Sequence, residues 1–173
     1  VYASSSSVYG GNRQLPFSEE QAVDHPVSLY AATKRSNELM AHVYTHLYGI
    51  QTIGLRFFTV YGPWYRPDMA MYLFADAMTH GRPLKVFNYG EMRRDFTYVD
   101  DIVEGVVRCV TGDGFCPFEI FNIGNNRSER LLDVINLIAA ELDVSPKLEF
   151  LPMQDGDVPA TWANIDKLKA KTG

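Results

Sequence analysis

The chain has 173 residues, a formal net charge of -5 and a pI near 5.3. With 46% hydrophobic and 21% charged side chains, it carries enough apolar material for one compact core of ordinary size. The acidic balance leaves no basic excess for a phosphate backbone or an anionic bilayer, and no apolar run approaches the ~20 residues of a transmembrane helix, so nucleic-acid and membrane partners are not expected.

Val1-Tyr2-Ala3 reads as the end of a buried strand, with neither the basic region nor the long apolar run of a signal peptide, and it predicts a fragment of a longer protein. Ser4 to Ser7 and then Val8-Tyr9-Gly10 close that strand. Met40, Val43, Tyr44 and Leu47 recur at helical spacing between about Ser28 and Tyr48, and Gly49 supplies a stop. Gln51 to Val60 is apolar on both faces apart from Arg56, as in a parallel strand covered by helices on each side. Met69 to His80 is expected to be helical, Leu84 to Phe87 extended, and Phe96 to Val99 a strand leading into Asp100-Asp101 as a helix cap. Ile102 to Val110 reads as helix and Glu119 to Ile123 as strand, while Leu131, Val134, Ile135, Ile138 and Leu142 mark one face of a further helix. Lys147 to Leu151 is a last short strand, and Ile165 to Gly173 resembles a helix cut before its end. This alternation predicts an α/β fold with a mainly parallel sheet. No Gly-x-Gly-x-x-Gly loop follows any strand, so the usual pyrophosphate cradle is absent from these residues.

Tyr30 and Lys34 stand four apart on the first helix, phenol and ammonium on one face. An ammonium beside a phenol favours the phenolate, which suits a general base. Alone the spacing is better explained by two surface residues; the serine run one loop earlier adds a strand-end hydroxyl that could hold a substrate alcohol while the phenolate takes its proton. Two other features carry less. His42 and His46 are four apart but lack the glutamate and third ligand of a zinc site, so no metal is expected. Cys109 and Cys116 are too few for a disulfide framework and suit free thiols in a reducing cytoplasm.

Several stretches together resemble the extended short-chain dehydrogenase/reductase family of sugar-nucleotide epimerases and dehydratases, most closely its UDP-glucuronate 4-epimerases. They are Ser4 to Gly10, Ser28 to Lys34, Leu55 to Pro63, Arg66 to Ala70 and Arg93 to Asp101, and the resemblance covers essentially the whole chain. It implies part of a Rossmann-like doubly wound parallel sheet plus a smaller carboxyl-terminal α/β substrate-binding region. Residues 1–62 would complete the NAD-binding domain, and 63–173 would mainly bind the nucleotide sugar, with some segments returning to the sheet.

The resemblance also implies roles. Tyr30 looks like the catalytic base, Lys34 its electrostatic partner and a ligand of the nicotinamide ribose, and Ser5 the hydroxyl on the sugar 4-oxygen. Phe57 to Val60 resembles the segment lining nicotinamide and sugar; Thr59 stands where UDP-galactose epimerases often carry asparagine. Arg94 resembles the diphosphate arginine, Phe87 the uracil-contacting edge and Asp157 the acid on the nucleotide ribose, whereas Gln154 stands where many relatives have arginine. Dehydratases of the family carry Asp-Glu at the positions of Ser6 and Ser7, and its UDP-glucuronate decarboxylases a glutamate at that of Ser7. Serines there can hydrogen-bond a C5 carboxylate, with Arg66 as an ionic partner. The expected activity is therefore 4-epimerisation of UDP-glucuronate with NAD, by a cytoplasmic homodimer. Epimerisation of neutral UDP-hexoses, decarboxylation of UDP-glucuronate and a non-catalytic binding fragment remain as alternatives, and the isolated chain, without a cradle, is expected to be inactive.

Overall fold

A computed structural model describes residues 1–173. The fold is α/β, as the alternation predicts. β1 (Tyr2–Ser5) runs into a 3-10 turn at Ser6–Tyr9, and a long loop leads to α1 (Leu29–Tyr48). β2 (Thr52–Phe57) and β3 (Thr59–Tyr61) follow, then α2 (Ala70–Thr79) and β4 (Leu84–Val86). After a second 3-10 turn at Phe87–Gly90 come β5 (Arg93–Arg94), β6 (Phe96–Tyr98) and α3 (Val99–Thr111). β7 (Phe118–Ile123), β8 (Glu129–Arg130), α4 (Leu131–Glu141), β9 (Leu148–Phe150) and α5 (Asp166–Thr172) complete the chain.

β1, β2 and β7 form a three-stranded parallel sheet in that order, Ala3 opposite Leu55 and Leu55 opposite Phe121. β7, from beyond residue 62, thus lies beside β2. The expected strand over 51–60 is broken at Phe58. Its first part pairs in the three-stranded sheet, and its second pairs with β6, Thr59 opposite Phe96. The break lies where Phe58 is buried against Tyr9 and Phe17, so the chain changes sheets at the point where it enters the site.

The two faces of β2 differ. Ile53 and Leu55 join Ile102, Cys109, Phe121, Ile123 and Leu168 in a core between the sheet and helices α3 and α5. The opposite face carries Gly54 and Arg56 and meets α1, so this strand is not apolar on both sides. A second core, with Phe74, Val86, Phe96 and Ile135, fills the space between α2, α4 and the β4–β9 pair. The third lies beneath the serine turn: Val8, Tyr9, Phe17, Val23, Phe58 and Ala163.

Helix α1 starts because Ser28 Oγ accepts from Ala31 N at 3.1 Å. It ends at Gly49, whose φ of 66° is left-handed and whose N–H returns to Thr45 O. Its apolar stripe points away from the core: Met40, Val43, Tyr44 and Leu47 are exposed, and the residues it buries are Ala31 and Glu38. His42 stands edge-on to Phe118, ring centroids 5.0 Å apart. Asp100 and Asp101 lie in the first turn of α3 rather than capping it; the N-cap is Tyr98, and the aspartates oppose the helix dipole. No helix is long and apolar enough to cross a membrane. Cys109 is buried and Cys116 exposed, both as free thiols.

Candidate active site

The serine run is an ordered turn whose hydroxyls have separate partners. Ser5 caps the 3-10 turn, its Oγ accepting from Ser7 N at 3.2 Å and donating to Ser7 Oγ at 3.1 Å. Ser4 faces α1 and donates to Glu38 Oε1 at 2.6 Å. Gly10 closes the turn at a φ of 54°, where a side chain would also strike His25 O. Ser6 and Ser7 are thereby left half-buried at a cavity wall.

α1 packs against β1 and against the serine turn, which puts its first turn beside the end of the strand. Tyr30, the second helical residue, is 54% exposed. Lys34 lies one turn on, with Nζ 5.7 Å from the Tyr30 ring centroid and 3.2 Å from Ala3 O, to which it donates. One acceptor leaves two of its three N–H groups for other partners. An open phenol beside an ammonium with spare donors matches the chemistry of a ribose diol and a nicotinamide, so Tyr30 and Lys34 fit an NAD end.

Arg94 on β5 holds Asp157 through Nη2 to Oδ1 at 2.7 Å. The guanidinium is mostly buried; burial lowers its pKa and the Asp157 charge partly restores it, leaving it cationic. Asp95 lies behind it, wholly buried, as a staple: its carboxylate accepts from Asn125 N at 2.8 Å, Ala163 N at 3.0 Å and Thr97 Oγ1 at 3.2 Å. Its backbone C=O accepts from Thr59 N at 3.1 Å, so the same residue locates Arg94 and Thr59.

Two cavities meet here. A polar one of about 150 Å³ is lined by Ser6, Ser7, Thr59, Arg94 and Asp157. A larger one of about 660 Å³ contains Thr59, Arg94 and Asp157 again and extends to Phe87, Lys85 and Gln154. The shared residues form the waist of one cleft, with the serine turn at one end and Phe87 at the other. Phe87 begins the second 3-10 turn rather than ending β4, and the left-handed Asn88 and Tyr89 after it bend the chain away.

The remaining expected residues, Ser5, Tyr30, Lys34, Phe57, Val60 and Arg66, line neither of these two cavities. Ser5 is turned into its own cap, and Phe57 and Val60 pack on the core below the sheet. Arg66 is 73% exposed and bound to Asp68 through both Nε and Nη2. Two residues escaped the sequence reading. Glu38 meets Arg56 in a buried ion pair, and Asp95 is the staple just described. A lone arginine in a covered strand was the signal for the first, since a buried guanidinium requires a carboxylate partner.

Residues 1–124 match the model of the NAD dependent epimerase/dehydratase family. The chain belongs to that family. It is 57% identical over 173 residues to the uncharacterized protein MJ1055 of Methanocaldococcus jannaschii, covering 100% of this chain and 52% of that protein. It is 44% identical over 190 residues to a probable UDP-glucuronate 4-epimerase of Rhizobium meliloti, covering 100% of this chain and 56% of the relative. Among solved structures, the UDP-glucuronic acid 4-epimerase of Bacillus cereus, in complex with UDP-glucuronic acid and NAD, superposes with a TM-score of 0.91 at 36% identity, over 98% of this chain and 54% of that one. The chain therefore spans about half the length of the relatives it matches.

Proposed function

We propose that the full-length protein containing this chain is an NAD-dependent 4-epimerase that interconverts UDP-glucuronate and UDP-galacturonate. The observation that carries this reading is the pair of cavities that share Thr59, Arg94 and Asp157 as a common wall, one polar and lined also by Ser6 and Ser7, the other larger and reaching Phe87. Its dimensions and polarity suit a sugar at the serine end and a nucleotide at the other. In this reading residues 1–62 complete the cofactor domain and 63–173 mainly bind the nucleotide sugar.

Arg94 meets the diphosphate with charge-assisted bonds, Phe87 lies against the uracil and Asp157 accepts from the nucleotide ribose. That handle is indifferent to the configuration at C4, so both epimers can be held in one pocket. Ser5, released from its bond to Ser7, holds the 4-oxygen while the Tyr30 oxygen accepts its proton; Lys34, beside the phenol, binds the nicotinamide ribose. NAD, when bound beside Phe57 and Val60, supplies the reversible hydride acceptor for C4. The resulting 4-keto sugar would turn over on its nucleotide handle, and Tyr30 would return the proton to the 4-oxygen. Ser6 and Ser7 donate to the C5 carboxylate, and Arg66 can leave Asp68 to pair with it. With no acid at either serine position, elimination of water has no additional proton donor.

The test is turnover by the full-length protein on UDP-glucuronate, UDP-glucose and dTDP-glucose, with products resolved by chromatography. Formation of UDP-galacturonate alone is expected. Selective turnover of the neutral sugar, or release of CO2 from UDP-glucuronate, overturns the substrate assignment. We place the enzyme in the cytoplasm as a homodimer; the free Cys109 and Cys116 and the outward apolar stripe of α1 support that reading.

A further inference from the structure

Below the cleft runs a chain of buried polar side chains that the mechanism above does not use. Glu38 Oε1 accepts from Ser4 Oγ at 2.6 Å and from Arg56 Nε at 2.9 Å; Oε2 accepts from Arg56 Nη2 and from Arg35 Nη1, each at 3.0 Å. Arg56 Nη1 donates to the Tyr9 hydroxyl at 3.0 Å, and Tyr9 in turn donates to Asn122 Oδ1 at 2.6 Å. The Glu38 side chain is 0% exposed and that of Arg56 3%.

Burying both charges is costly, and replacing a buried ion pair by apolar residues of the same volume is often neutral or stabilising, so stability alone is a weak reason for this one. What the ion pair adds is direction. α1 buries only Ala31 and Glu38, so non-directional apolar contact does little to fix where this helix sits on the sheet. The Glu38 carboxylate does: it lies two turns beyond Tyr30, it grips Ser4, the neighbour of Ser5, and it grips Arg56, the neighbour of Phe57. Each bond ties the base-bearing helix to a segment that forms the other side of the reaction centre.

We infer that Glu38 is a positioning residue, setting the distance between the Tyr30 phenol and the Ser5 hydroxyl through its bonds to Ser4 and Arg56. This rests on the epimerase reading above. A proton transfer needs heavy atoms within hydrogen-bond reach, and a displacement of about 1 Å costs on the order of 100-fold in rate. Nucleotide binding, made by Arg94, Phe87 and Asp157 on other elements, does not depend on this distance.

The experiment uses the full-length protein with Glu38→Gln and, separately, Ser4→Ala, which removes one bond without leaving a buried charge. Four quantities are read well below the melting temperature: kcat and KM on UDP-glucuronate, the UDP dissociation constant, and Tm. Glu38→Gln is expected to lower kcat by about 10- to 100-fold and Ser4→Ala by roughly 3- to 10-fold, with UDP affinity within about two-fold of wild type. Folded variants with wild-type kcat and only a lowered Tm overturn the proposal, since a purely structural role moves stability alone. If Glu38→Gln does not fold, Ser4→Ala decides. If wild type binds UDP without epimerising any UDP-sugar, the functional reading has failed and takes this inference with it; a competent wild type with unimpaired variants sinks the inference alone.

Discussion

Arg94 and Asp157 face each other across the waist of the cleft in a 2.7 Å ion pair that joins β5 to the loop before residue 160. A diphosphate entering the cleft would have to share a guanidinium that is already engaged and mostly desolvated. Arg94→Ala should therefore weaken UDP binding by about 10- to 100-fold, the range of a charge-assisted hydrogen bond. Arg94→Lys should recover little of it, because a point ammonium cannot reproduce the two-pronged geometry. Titration calorimetry on the full-length protein reads both; an unchanged dissociation constant in Arg94→Ala removes this residue from the nucleotide site.

The half-exposed Tyr30 phenol makes a second prediction. In the proposed mechanism Tyr30→Phe removes the proton acceptor and no nucleotide contact, so kcat should fall by about 100- to 10,000-fold while UDP affinity is retained. Residual turnover near wild type would reassign the base.

Helix α1 and the alternation of elements were legible in the sequence because each leaves a local mark, such as a capping serine or a glycine stop; Ser6, Ser7, Thr59, Phe87, Arg94 and Asp157, which line the two cavities, leave no such mark and were singled out by resemblance alone. The break at Phe58 was not, since Thr59 to Tyr61 have the same apolar pattern as β2 and only pairing with β6 separates them. The stripe Met40, Val43, Tyr44 and Leu47 has the period of a core face yet lies outside, while the buried face carries Glu38. Periodicity reports that a helix has an apolar side, not which neighbour covers it. Asp95 was invisible for a similar reason. Its partners, Asn125 N, Ala163 N and Thr97, are set by tertiary contact and not by spacing.

The two buried carboxylates should give opposite pH signatures. Burial works to raise the Glu38 pKa, but the bonds and charge of Arg56, with Ser4 and Arg35, outweigh it and hold the group below its ordinary value. A depressed folded pKa contributes stability above the unfolded value and loses it as pH falls through the folded one. The stability gap between wild type and Glu38→Gln should thus close in acid. For Asp95, burial raises the pKa against the hydrogen bonds from Asn125, Ala163 and Thr97. Its contribution is fullest below the unfolded value and declines as pH rises through the folded one. Asp95→Ala should cost about 2–4 kcal/mol by orphaning those donors, with the gap from wild type narrowing as pH increases. Urea unfolding of the full-length protein at several pH values checks both signs.

The outward face of α1 makes the last prediction. Met40, Val43, Tyr44, Leu47 and Tyr48 form a continuous exposed stripe over more than two turns, with the Tyr44 and Tyr48 rings 5.4 Å apart. Solvated apolar side chains in such a row are costly unless another surface covers them, and a two-fold axis beside the helix would let each copy cover the other. Val43→Glu combined with Leu47→Glu places like charges at the centre of that contact, where they must be desolvated, and should convert a dimer into a monomer without disturbing Ala31 or Glu38 on the buried face. Light scattering on the full-length protein distinguishes the states. A wild-type monomer, or a double variant that stays dimeric, would show that this stripe is covered by something other than a second copy.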